Sequence, residues 1–247
     1  MKTILLDVGN SRCKWGVWED DAITRTGVID NAEIDDGRRW RFAEAADQAF
    51  ACSVASTDAT QTLLAELTQL GVPVTMAETT HAHAGVRCAY HDPARMGVDR
   101  WMAVLAASRL AKGPALVIDA GTALTIDALD GGGQHVGGYI IPGVTMMQTA
   151  LTSRTANIVV DDPQAVEEVF GCSTSEAVRN GALTAAAGAV QRSASQLAKL
   201  MSVGPASLAY AFTGGDGALL AASLNRADDF HANFVLDGLA IYAGLRA

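Results

Sequence analysis

The sequence predicts an α/β protein of two similar lobes, each a mixed sheet with flanking helices. Three observations carry this. An apolar strand running into Asp-x-Gly occurs twice, at Asp7-Val8-Gly9 and at Asp119-Ala120-Gly121; the copies lie nearly half a chain apart in 247 residues; and each is followed by strand-like and then helical patterns. A chain of this length buries a sizeable core, and 49% hydrophobic against 18% charged residues excludes a disordered tail or a charged coiled coil.

The elements follow in order. Lys2–Val8 reads as a strand, Gly9–Arg12 as a turn, and Cys13–Trp18 and Ala22–Ile29 as the next strands, from β-branched and aromatic residues between turn signals. Helical patterns cover Trp40–Ala49 and Ala59–Leu70, with strands at Phe50–Ala55 and Val72–Met76. His81–Met96 reads as a long loop. Trp101, Val104, Leu105 and Ala107–Leu110 give an apolar face to a helix over Asp99–Lys112, stopped by Gly113-Pro114, so the lobes are expected at 1–112 and 113–247. The second lobe opens with strands at Ala115–Ile118, Ala123–Leu129 and His135–Ile141. Helices at Ala165–Phe170, Ser175–Lys199 and Ala218–Leu224, a strand at Leu208–Phe212 and a closing helix at Phe234–Leu245 complete it.

A net charge of −9 argues against a phosphate-backbone binder, so nucleic acid is not an expected partner. Cys13, Cys52, Cys88 and Cys172 are too dispersed for a disulfide framework or a CxxC pair, which suits a reducing cytoplasm. The uncharged stretch Gly131–Ser153 holds too much glycine and proline for a spanning helix, and the N-terminal apolar run is broken by Asp7; neither a membrane nor an export signal is expected.

In each repeated element a carboxylate stands where a buried strand gives way to a glycine turn. Glycine admits close approach of a phosphate, neighbouring amides and hydroxyls donate to it, and the carboxylate holds hydrated Mg²⁺ against it. One such turn alone is as well explained by local Asx hydrogen bonds; two copies favour phosphate binding. Thr213-Gly214-Gly215-Asp216-Gly217 between a strand and a helix reads either as a nucleotide-facing turn or as a plain strand-to-helix turn, and no Walker lysine loop is present. Gly97-Val98-Asp99-Arg100 opens the central helix: Asp99 reads as an N-cap and as a general base, and Arg100 as a partner for an anion. His81, His83, Cys88 and His91 fit no zinc spacing. Trp15, Trp18, the stripe Trp101, Val104, Leu105, Ser108 and the pair Met146-Met147 read as packing.

These motifs, with Gly138-Tyr139-Ile140-Ile141-Pro142-Gly143, resemble in order and spacing the type III pantothenate kinases of the acetate and sugar kinase, heat-shock cognate and actin superfamily, which include the Bvg accessory factor-like proteins. The resemblance covers essentially the whole chain. It implies two ribonuclease-H-like lobes with the active site in the cleft between them, and ATP-dependent phosphorylation of pantothenate to 4′-phosphopantothenate, the first step towards coenzyme A. By the same resemblance Asp7, Val8, Gly9, Asn10, Ser11, Arg12, Cys13 and Lys14 form the first phosphate loop, with Asp7 holding Mg²⁺ directly or through water. Thr122 lies in the second loop, and Gly214 and Gly215 on the adenosine side. Asp99 is the expected proton acceptor; Tyr90, Gly97, Val98, Asp99, Arg100 and Thr174 are the expected pantothenate contacts; and Asp119 is the expected ligand of a monovalent cation, K⁺ or NH₄⁺. A cytoplasmic homodimer whose interface helps shape the substrate pocket is also implied. Ser11 stands where many members carry threonine. A kinase of a sugar or acetate, and a non-catalytic regulator on the same scaffold, are the rival readings.

Overall fold

A computed structural model describes residues 1–110, 113–154 and 170–246. It divides into two compact units, Met1–Arg109 with Asn233–Ala247, and Leu110–Ala232. Each unit is a mixed sheet with flanking helices, the architecture of the actin-like fold.

In the first unit, β1 (Thr3–Val8), β2 (Arg12–Glu19) and β3 (Ala22–Asp30) form an antiparallel meander; β4 (Gln48–Ser53) and β5 (Val74–Met76) extend it in parallel, in the order β3-β2-β1-β4-β5. Central β1 has Ile4, Leu5 and Leu6 all fully buried, so both sheet faces are covered, and its apolar run does not alternate for that reason. Helix α1 (Thr57–Gln69) starts where Ser56 Oγ accepts from the Ala59 amide and buries Leu63 and Leu67.

Four expectations in this unit need correction. Trp40–Ala49 is not a helix. A 3₁₀ segment covers Gly37–Ala43, Ala45 adopts a left-handed φ of 57°, and β4 begins at Gln48. Trp40 and Phe42 supply core bulk there, with Phe42 stacked on Trp15 at 3.8 Å, so apolar spacing recorded burial and not helical period. The loop His81–Met96 contains a short ribbon, β6 (Ala82–His83) and β7 (Val86–Arg87), and a 3₁₀ turn at Pro93–Arg95. Helix α2 spans Val98–Ala107 and ends before the expected Gly-Pro stop; Ala111 and Lys112 lie outside the described residues. Its N-cap is Gly97, so Asp99 sits inside the first turn and not at the cap.

The second unit repeats the plan. β8 (Ala115–Ala120), β9 (Ala123–Leu129) and β10 (His135–Pro142) form an antiparallel meander, and β11 (Ala209–Thr213) lies parallel to β8, in the order β10-β9-β8-β11. Helix α3 (Val144–Arg154) has no counterpart in the sequence reading, because its polar and apolar residues follow no clear amphipathic stripe. Helix α4 (Thr174–Met201) opens with a reciprocal cap: Ser173 Oγ accepts from the Glu176 amide at 3.2 Å, and Glu176 Oε2 accepts from Cys172 N at 2.6 Å. The helix expected at Ala165–Phe170 falls, up to residue 169, outside the described residues. Helix α5 (Gly217–Ser223) follows β11.

The closing helix α6 (Phe234–Tyr242) belongs with the first unit, against the expectation that placed it in the second half. It packs on α2 because Gly238 presents no side chain: any β-carbon there would run into the Met102 carbonyl. Phe234, Leu236 and Leu239 are buried with it, each contributing about 2 kcal/mol by removal of apolar surface from water. Helix α2, which carries Asp99 and Arg100, is thereby held by a segment far along the chain.

Candidate active site

In the first unit β1 delivers Asp7 to a tight turn, closed by the Gly9 amide donating to Arg12 O at 2.9 Å. Asn31 clamps that turn from the end of β3: its Nδ2 donates to Gly9 O and its amide to Ser11 O, both at 2.9 Å. Asn10, Ser11 and Arg12 stand exposed at the tip, whereas the side chains of Val8 and Cys13 are in the core. Those two therefore offer a ligand only backbone groups. Lys14 pairs with Asp7 across β1 and β2, which puts an ammonium and a carboxylate on the same face beside the turn.

Asp7 is also the neighbour of Cys52 on parallel β4, and the Cys52 thiol donates to Asp7 Oδ1 at 3.8 Å. Burial first, then the charges of Asp7 and Asp99, push this thiol well above its usual range. The charge of Asp99, from a distant point in the sequence, thus also bears on this buried sulfur. Cys13, buried and also near Asp7, is pushed up to about 12.

Asp99 Oδ1 accepts from the Arg100 amide at 2.8 Å, inside the first turn of α2, where the helix dipole favours a negative charge. Gly97 makes room for it: a β-carbon there would approach Asp99 Oδ1 to 2.6 Å. Arg100, only 6% exposed, donates from Nη1 to the Tyr90 hydroxyl at 3.0 Å, with its guanidinium 5.8 Å from the Tyr90 ring centre. The structure therefore joins Tyr90, Gly97, Val98, Asp99 and Arg100 in one place, with a buried cation suited to an anionic group and a carboxylate suited to a hydroxyl.

In the second unit the Asp119 turn is built by contact. The Gly121 amide donates to Ala123 O at 3.1 Å, and the Gly143 amide, at the end of β10, donates to Thr122 O at 3.0 Å. A β-carbon on Gly143 would overlap the carbonyls of Gly121 and Thr122, which explains the glycine that ends the Gly138–Gly143 motif. Gly214 adopts a φ of 89° and lies against Asp119 and Ala120 where no side chain fits, and the Asp216 amide donates to Ala120 O at 2.9 Å. Asp119, Thr122, Gly214 and Gly215 are thus brought to one end of this sheet. Thr174 opens α4 in the same unit and is exposed. Burial raises the Asp216 carboxyl above its usual range.

Sequence reasoning missed Asn31 and the place of Cys52 beside Asp7, and it quoted Gly143 only as the end of a motif. Each acts by supporting a turn, and only the register of neighbouring strands reveals it. His83, from the histidine cluster, stacks on Tyr242 at 4.6 Å, and Cys88 Sγ lies 3.7 Å from Met96 Sδ. Among the described residues no group of three or more His, Cys, Asp or Glu side chains converges, and no helix is long and apolar enough to cross a membrane.

The family model for type III pantothenate kinases matches residues 3–196. The chain belongs to that family. It is 37% identical to the type III pantothenate kinase of Stenotrophomonas maltophilia strain R551-3, with 98% of each chain covered. It is 35% identical to that of Thiobacillus denitrificans, covering 96% of this chain and 94% of the other. Among solved structures, a Campylobacter jejuni protein described as a Baf family transcriptional activator aligns with a TM-score of 0.63 at 18% identity, covering 98% and 97%. The ethanolamine utilization protein EutJ of Carboxydothermus hydrogenoformans aligns with a TM-score of 0.51 at 10% identity, covering 98% and 90%. At such identities these structures speak for the fold alone, and the actin-like architecture is what they share with this type III pantothenate kinase family member.

Proposed function

We propose that this chain transfers the γ-phosphoryl group of ATP to the primary hydroxyl of pantothenate, forming 4′-phosphopantothenate, the entry reaction of coenzyme A synthesis. The observation that supports the residue assignment is the first turn of α2, where Asp99 Oδ1 accepts from the Arg100 amide and buried Arg100 donates to the Tyr90 hydroxyl, which puts a carboxylate fit to receive a hydroxyl proton beside a cation fit for an anionic group. Asp99 orients the acceptor hydroxyl and collects its proton late, since a primary alcohol does not ionise at neutral pH. Arg100 and Tyr90 hold the pantothenate carboxylate, and Thr174 is assigned as a further contact.

Each glycine turn is assigned to nucleotide binding. Amides and hydroxyls of the first loop and Thr122 grip phosphates, while Gly214 and Gly215 take the adenosine side. Oxygen donors and the absence of a dense ligand cluster among the described residues fit Mg²⁺, which keeps several waters and needs only one or two carboxylates besides phosphate oxygens. Asp7 is its proposed holder; bound there, the ion neutralises developing phosphate charge. Asp119 is the proposed ligand of K⁺ or NH₄⁺.

A homodimer is proposed on the exposed apolar residues of edge strand β10 and helix α3: Tyr139 and Ile140, and Met146 and Leu151. A cytoplasmic location accords with four free cysteines and with the chemistry of ATP. The test is ADP release with pantothenate, with sugars and with acetate, each with and without K⁺, on protein whose mass in solution has been measured by light scattering. Turnover confined to pantothenate supports the reading, and turnover of another acceptor in its place overturns it.

A further inference from the structure

Cys52 is buried but does not belong to the core cluster that takes in its strand neighbours Ala49 and Ala51. Its side chain points the other way, to the face where Asp7 stands in register with it. We infer that Cys52 is a positioning residue for Asp7, its S–H donated to Asp7 Oδ1 to hold the carboxylate in the rotamer that receives the metal–nucleotide complex. The inference rests on the proposed role of Asp7.

Two observations support it. Lys14 stands in register with Asp7 across the hairpin, so Cys52 on β4 reaches the carboxylate from the opposite flank. Finally, the second unit repeats the arrangement: Asp119 on β8 stands in register with Thr213 on parallel β11, as Asp7 does with Cys52. Thr213 is 1% exposed. At both turns the parallel neighbour of the aspartate is therefore a small, buried side chain that carries a proton donor.

Simple packing would be satisfied by any side chain of the right size, so pairs of similar size separate the two roles, the isosteric Thr and Val most strictly. Cys52→Ser and Cys52→Ala differ in a donor, as do the bulkier Cys52→Thr and Cys52→Val, which carry the comparison if the smaller pair fails to fold. The readouts are ADP binding by calorimetry with and without Mg²⁺, and KM for ATP and for pantothenate. In the donor-free variants the gain in ADP affinity produced by Mg²⁺ is expected to shrink about tenfold and KM for ATP to rise, with KM for pantothenate within about twofold; the hydroxyl variants restore the wild-type pattern. On an Asp7→Asn background, Cys52→Ala is expected to change nothing further. Equal behaviour of Ala and Ser, or of Val and Thr, or an undiminished effect on that background, overturns the inference alone. Wild-type protein whose ADP affinity ignores Mg²⁺ overturns the metal role of Asp7 and the inference with it.

Discussion

Arg100 donates from Nη1 to the Tyr90 hydroxyl at 3.0 Å, and its guanidinium is almost wholly withdrawn from water. A buried cation needs partners, and the proposed reading makes the pantothenate carboxylate one of them. Tyr90→Phe removes one hydrogen bond and leaves the ring, so KM for pantothenate should rise roughly tenfold, KM for ATP should stay within about twofold, and melting should shift little. Initial-rate kinetics in both substrates check this.

Asp99→Asn keeps an oxygen to accept from the Arg100 amide, and Gly97 keeps the cap. The lost charge near the helix start costs about 0.3–1 kcal/mol, while kcat should fall by roughly 10²-fold or more. Near-normal turnover at saturating ATP and pantothenate would remove Asp99 from the proton-accepting role.

Gly143→Ala should displace the second turn, because a β-carbon overlaps the Gly121 and Thr122 carbonyls. The expected result is a lower Tm and a raised KM for ATP, with pantothenate affinity kept. Gly188→Ala, on α4, is the control: a β-carbon there meets nothing within 4 Å. Parallel melting curves and calorimetric titrations of the two variants decide it.

Cys13 makes a pH prediction. Its thiol is raised from the usual 9.0 to about 12, so between those values the folded protein keeps a proton that the unfolded chain releases. The native state binds more protons there, and stability must fall as pH rises through that window. Cys52 acts in the same direction. Urea midpoints at pH 7 and pH 10 should show the loss, smaller in Cys13→Ala than in wild type; an equal loss in both would contradict the assignment. In native protein at pH 8, exposed Cys172 should react with a thiol reagent well before Cys13 or Cys52.

Much was legible in the chain before folding. The doubled Asp-x-Gly turn, the meanders behind it and the helix opened by Gly97 are local patterns: a strand's apolar run, a glycine's freedom and an aspartate's chemistry are all written within a few residues. For the same reason candidate chemical residues could be nominated by type and order. Where local pattern and packing parted, reading by period failed. Trp40 and Phe42 looked helical because they are buried, yet what they meet is Trp15 on another strand.

Tertiary structure alone decided the rest. That Cys52 lies beside Asp7, that Gly143 supports Thr122 and that α6 holds α2 through Gly238 are matters of strand register and interhelical distance. Each joins positions far apart in sequence, and no residue's own preference encodes its partner; only the burial of both against a common core selects the pairing.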